Sequence, residues 1–138
     1  MPYARISLHR GKSPEYLRQL SDGVYRAMRE AFEVPENDRF QVIHQLDPGE
    51  LGFDRDYLGG PRSDDFVLIA ITAGRPRDGA TKRAFYQRTV ELLAQAPGIA
   101  PEDVMIVIQT TASDDWSFGG GRAGITAAEA GIADGIAR

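Results

Sequence analysis

Six residues, far apart in the chain, carry the side chains most suited to chemistry. Pro2 directly follows Met1. Removal of an initiator methionine there would leave a nitrogen that is a secondary amine and no longer an amide. Such a group can hold and donate a proton or, once neutral, act as base or nucleophile, because an α-amino group titrates at roughly 8. Pro2 also suits a purely structural place, the first residue of a strand, where its missing N–H is tolerated. Arg75 and Arg77 flank Pro76 at the end of an apolar run. Two guanidinium groups at a strand end can grip a carboxylate in bidentate fashion, or can simply be solvated arginines around a turn proline. Asp38, within Asn37-Asp38-Arg39, could hold the Pro2 proton or orient water, or serve as a turn aspartate. Trp116 and Phe118 precede Gly119-Gly120-Gly121. Aromatic side chains on a glycine-flanked segment can wall a pocket or pack into a core.

Other chemistries find less material. Cysteine is absent, so no disulfide framework, thiolate metal site or cysteine nucleophile is available. His9 and His44 lack partners at metal-ligand spacing and read as strand residues. Gly119-Gly120-Gly121-Arg122 lacks the ending of a phosphate-binding loop and reads as a flexible turn. The 16 Lys plus Arg against 20 Asp plus Glu give a net charge of −4, which argues against nucleic acid as a partner. Residues 1–10 run into a strand-like pattern without an apolar signal core, and no stretch approaches the roughly 20 apolar residues of a membrane span. The expectation is an unexported cytoplasmic protein with no membrane partner.

These residues must be positioned by a fold, and 138 residues at 42% apolar content suffice for one domain with one packed core. Residues 3 to 9 alternate, placing Ala4, Ile6 and Leu8 on one side as in a half-buried strand. Ser13-Pro14 starts a helix, with Leu17, Leu20, Val24 and Met28 at helical spacing to about Phe32. Residues 40 to 45 form a second strand. Residues 47 to 64, rich in Gly, Pro and acids, form a long exposed connection of possible functional use. The apolar run 66 to 71 is a buried strand, a helix follows from about Asp78 to Ala96, and residues 104 to 108 make a fourth strand. The order strand, turn, helix, Pro-Glu-Asx link, strand therefore occurs twice, at about 2–46 and 65–109, with Gly11 answering to Gly74 and Pro35 to Pro101.

The expected fold is α/β (α+β): duplicated β-α-β units making a four-stranded sheet with two helices on one face, each unit holding a parallel strand pair. The other sheet face remains to be covered. The extension 112–138 is expected to end in a helix from Thr126 to Ile136, opened by a Thr126…Glu129 capping box and docking on a neighbouring subunit.

An amino-terminal Pro2, the duplicated unit, Val34-Pro35-Glu36-Asn37-Asp38-Arg39-Phe40, Arg75-Pro76-Arg77 and Asp115-Trp116-Ser117-Phe118-Gly119 together resemble the malonate semialdehyde decarboxylase family of the tautomerase superfamily. The resemblance spans nearly the whole chain and is less clear after Ile125. It implies a homotrimer without cofactor or metal, acting on a small carboxylate substrate. It also implies catalytic Pro2, Asp38, Arg75 and Arg77, with the arginines binding the carboxylate and Trp116 and Phe118 walling the pocket. The implied activity is decarboxylation of a 3-oxo acid, with Pro2 as general acid or iminium former. Tautomerisation or hydration of a small unsaturated or 2-oxo acid is the alternative, and a catalytically silent trimeric binding protein is the non-enzymatic one. Related 3-chloroacrylic acid dehalogenases use a differently spaced arginine pair and an extra glutamate, whereas here Asp114 and Asp115 stand beside Trp116, which disfavours dehalogenation.

Overall fold

A computed structural model describes residues 2–124. The expected helix at 126 to 136, and its docking, lie outside the described residues.

The strand β1 (Tyr3–His9) leads into the helix α1 (Pro14–Phe32) and then β2 (Gln41–Leu46). After the long connection come β3 (Val67–Ala73), α2 (Gly79–Gln95) and β4 (Val104–Thr110). The sheet order is β2-β1-β3-β4. β1 runs parallel to β2 and β3 parallel to β4, while β1 and β3 pair antiparallel with Ile6 opposite Ile69. The strands run slightly further than the sequence pattern indicated, to Leu46, Ala73 and Thr110. Ladder pairing continues to these residues, with His9 opposite Leu46 and Ala73 opposite Thr110.

Local chemistry sets the helix ends. The Ser13 hydroxyl accepts from the Tyr16 N–H at 3.1 Å and Asp78 accepts from the Thr81 N–H at 2.8 Å, each satisfying an amide the helix leaves unpaired. Pro14 occupies the first turn of α1, and Glu33 closes that helix in a left-handed conformation. Leu20, Val24, Ala27, Met28 and Phe32 of α1 meet Phe85, Leu92 and Leu93 of α2 over the strand residues Ala4, Ile6, Leu8, Ile69 and Ile71. Phe32 and Phe85 stack at 4.5 Å. Burying such side chains contributes about 1.5–3 kcal/mol each. The two helices approach closely at Gly23, where an added Cβ would lie 2.8 Å from Leu93 Cδ2, so a larger residue would require the buried Leu93 side chain to shift.

Among the described residues no helix covers the other face of the sheet. Val42 on one edge strand and Met105 and Val107 on the other point from it and are 41%, 48% and 49% exposed, with Arg5 in register between Val42 and Ala70, and such exposed apolar side chains are of the kind that proteins bury against partners.

Candidate active site

The topology brings the six residues to one end of the sheet. Pro2 precedes β1. Because β1 is parallel to β2 and antiparallel to β3, this end also receives the segment before β2 and the segments after β3 and β4. Those are the positions of Asp38, of Arg75 and Arg77, and of Trp116 and Phe118. Tyr3 pairs with Thr72, and the Ala4 N–H donates to the Phe40 carbonyl at 3.0 Å, so the start of β1 is pinned between the arginine turn and the Asp38 link. Pro2 itself is buried.

Asp38 sits in a turn closed by its own N–H donating to the Pro35 carbonyl at 3.1 Å. Both of its neighbours are tied to α1. The Tyr25 hydroxyl accepts from the Asn37 N–H at 3.1 Å, and the Arg39 guanidinium lies 4.6 Å over the Tyr25 ring while reaching Asp22 at 2.7 Å. Asn37 has φ of 77°, a left-handed backbone that asparagine tolerates better than most residues.

Arg77 is the most unusual cation in the chain. Its guanidinium lies 4.4 Å over the Phe32 ring, and its Nη1 donates to the Arg75 carbonyl at 3.2 Å. Its Nε and Nη2 are buried and have no hydrogen-bond partner among the described residues. Burial first, and then the like charge of Arg75, push Arg77 down to about 10, while Asp38 favours its charged form. Arg77 therefore stays protonated at neutral pH, with two N–H groups on one edge lacking an acceptor. That edge fits a carboxylate. Arg75 is exposed beside it.

The aromatic residues form a row. Trp116 and Phe118 stack at 5.4 Å with planes 10° apart, and Phe118 meets Phe40 at 5.9 Å. Gly120 and Gly121, at φ of 66° and 71°, turn the chain behind them through a conformation that favours glycine. The Asp115 carboxylate accepts from the Ala112 N–H at 2.9 Å and so serves this local turn. Phe40 was not anticipated as part of the wall. Its place next to the Asp38 link, at the same sheet end as Phe118, was the available signal. Among the described residues no group of three or more His, Cys, Asp or Glu could hold a metal ion.

Pro2, an acid, two arginines and an aromatic row gathered at one end of a doubled β-α-β sheet are the arrangement of a tautomerase-type fold. The chain belongs to the tautomerase family: sequence models described as "tautomerase enzyme" match residues 38–119 and residues 2–61. It is 37% identical to the probable tautomerase YusQ of Bacillus subtilis (strain 168) over 123 residues, 89% of this chain and 97% of that protein. Among solved structures it is similar to malonate semialdehyde decarboxylase, at 34% identity and a TM-score of 0.84 over 97% of this chain and 99% of the other. A fused 4-OT asymmetric trimer shares the fold, with a TM-score of 0.71 at 21% identity over 88% of this chain and 94% of the other.

Proposed function

We propose that this protein is a cofactor-independent decarboxylase of a small 3-oxo acid, converting malonate semialdehyde to acetaldehyde and carbon dioxide. The observation that carries this reading is the buried, unpartnered edge of Arg77 beside Asp38 and an aromatic row. The solved relative named above, a malonate semialdehyde decarboxylase, supports it.

Arg75 and Arg77 hold the carboxylate with its C–C bond parallel to the carbonyl π orbitals. As that bond breaks, its electron pair moves through the α-carbon onto the carbonyl oxygen, giving an enolate and neutral carbon dioxide. The protonated Pro2 amine, freed by loss of Met1, donates a hydrogen bond to the developing oxygen anion, a contribution of roughly 3 kcal/mol for one well-placed donor. Its proton then passes to the α-carbon, which yields acetaldehyde, and water reprotonates the amine. The sum is one substrate monoanion plus one proton giving acetaldehyde plus carbon dioxide. Asp38 supports the cationic form of Pro2, since a carboxylate near an amine favours the ammonium. Trp116, Phe118 and Phe40 give the site an apolar wall that favours departure of an uncharged product over the bound carboxylate.

The sheet face bearing Val42, Met105 and Val107 is buried, in this reading, against two further copies of the chain. A related fold is described as a trimer. The similarity to a probable tautomerase favours a second reading, keto–enol tautomerisation of a small 2-oxo acid with neutral Pro2 as the base.

The test is to mix Met1-free protein with malonate semialdehyde and follow acetaldehyde by proton NMR, with Pro2→Ala and Arg75→Ala alongside. Rapid acetaldehyde formation that both substitutions abolish is the expected result. No acceleration by the wild type would overturn decarboxylation and leave the tautomerase reading to be assayed.

A further inference from the structure

We infer that Thr111 is a positioning residue: its hydroxyl is a one-proton relay that sets the plane of Trp116 and thereby the apolar wall of the site. The inference deepens the reading of that wall given above and rests on it.

Thr111 follows β4 directly and lies beside the end of β3. Its hydroxyl is 2.8 Å from the Ala73 carbonyl oxygen and 2.6 Å from Trp116 Nε1. The proton positions follow from the groups themselves. An indole N–H can only donate and a carbonyl oxygen can only accept, whereas a hydroxyl does both with a single proton. So the Thr111 O–H donates to Ala73, and the indole N–H donates to a hydroxyl lone pair. No other side chain hydrogen-bonds to the indole among the described residues. Trp116 stacks on Phe118 and Phe118 meets Phe40, so a tilt of the indole carries through the row.

The Thr111 N–H also donates to the Ala73 carbonyl, at 2.8 Å. This bond separates the two halves of the site. Replacing the side chain leaves the backbone bond in place, and with it the end of β3 from which the turn to Arg75 and Arg77 departs. Arg77 keeps its bed on Phe32 and its bond to the Arg75 carbonyl. The relay therefore governs the wall and not the carboxylate grip.

Thr111→Val is nearly isosteric and loses both side-chain hydrogen bonds, whereas Thr111→Ser keeps both. Trp116 is the single tryptophan of the chain, so its fluorescence reports the indole environment independently of turnover. Expected for Thr111→Val are an emission maximum moved from the wild-type position, a kcat for malonate semialdehyde lowered about tenfold, as for one lost hydrogen bond, and a KM and a malonate inhibition constant within about twofold of wild type by the same backbone argument. Thr111→Ser should restore emission and kcat together. Unchanged emission in Thr111→Val, an effect confined to KM, or failure of Thr111→Ser to restore would each overturn the inference. If the wild type proves not to decarboxylate this substrate, that failure belongs to the functional reading. The emission shift and its restoration by serine then still decide whether Thr111 sets the indole.

Discussion

The two ends of the sheet were built from the same β-α-β unit, yet they treat charge in opposite ways. At the end opposite Pro2, the turn after β1 carries Arg10 and Lys12, in the place that Arg75 and Arg77 take after β3. Here the cations have internal partners. Arg10 meets Asp47 at 3.1 Å, Lys12 meets Asp65, and Arg55, borne on the long connection, meets Asp64 at 2.7 Å. The acid of the second Pro-Glu-Asp turn, Asp103, is buried and accepts from both the N–H and the hydroxyl of Ser63, each at 2.6 Å. The segment between β2 and β3 thus supplies carboxylates that pair the cations at its own end of the sheet, and a serine that satisfies Asp103. The tail after β4 instead brings aromatic residues to the Pro2 end, where Arg77 Nε and Nη2 have no acceptor among the described residues. Clefts of about 500 and 450 Å³ open at the end opposite Pro2, the first lined by Arg10, Lys12, Arg55, Asp64 and Asp65. Volume alone therefore does not distinguish the two ends. What sets the Pro2 end apart is a cation whose buried N–H groups have no hydrogen-bond acceptor among the described residues.

Arg77→Met breaks this comparison most severely. With the carboxylate grip removed, kcat/KM should fall by about 10²- to 10³-fold. The thermal midpoint should hold or rise, because burial and Arg75 outweigh Asp38 in setting the state of this cation and its removal relieves a desolvated charge. A midpoint several degrees lower would show that Arg77 is structural after all.

Next in size is Asp103→Ala at the other end. Loss of the buried carboxylate leaves the Ser63 N–H and hydroxyl unsatisfied and should cost about 1–3 kcal/mol in urea unfolding. Activity per folded molecule should stay within about twofold of wild type. An unfolding midpoint equal to wild type would deny this acid its structural role.

The smallest effect belongs to Lys12→Met. A partly exposed pair with Asp65 contributes about 0–1 kcal/mol. The hydrogen bond that Lys12 donates to Asp65, outweighing partial burial, holds Lys12 above the usual lysine value. A raised folded-state value means that the native state keeps the proton longer than the unfolded one. The stability margin of the wild type over Lys12→Met should therefore be full below the unfolded lysine value of 10.5 and shrink as pH rises beyond it. A margin that grows with pH would reverse the assignment. Arg77, shifted down, has the opposite sign: its ionisation disfavours the fold below about 10 and ceases to do so as pH rises past that value.

Much of this was legible without coordinates, for physical reasons. Period-two alternation in residues 3 to 9, the Ser13-Pro14 start and the repeated Pro-Glu-Asx link are local signals. They act over a few residues and specified the elements and their duplication. Pro2, Asp38, Arg75, Arg77, Trp116 and Phe118 could be named from residue type and motif order. Phe40 and Thr111 could not. Phe40 looked like the first residue of a strand, and it joins the wall only because parallel pairing of β1 with β2 puts the Asp38 link at the end of the sheet that Phe118 reaches. Thr111 looked like an ordinary residue after a strand, and its hydroxyl acquires meaning from the Ala73 carbonyl across the β3–β4 pair, 38 positions away in sequence.

The sequence by itself thus determined which elements form, that they form twice, and which side chains have the chemistry to act. Only the tertiary structure decided how the cations at the two ends are partnered. Lys12 and Arg77 are both cations after a strand, and nothing local separates them. The difference lies in Asp65 lying against one and a phenylalanine ring lying under the other, contacts made by segments distant in sequence and settled by packing.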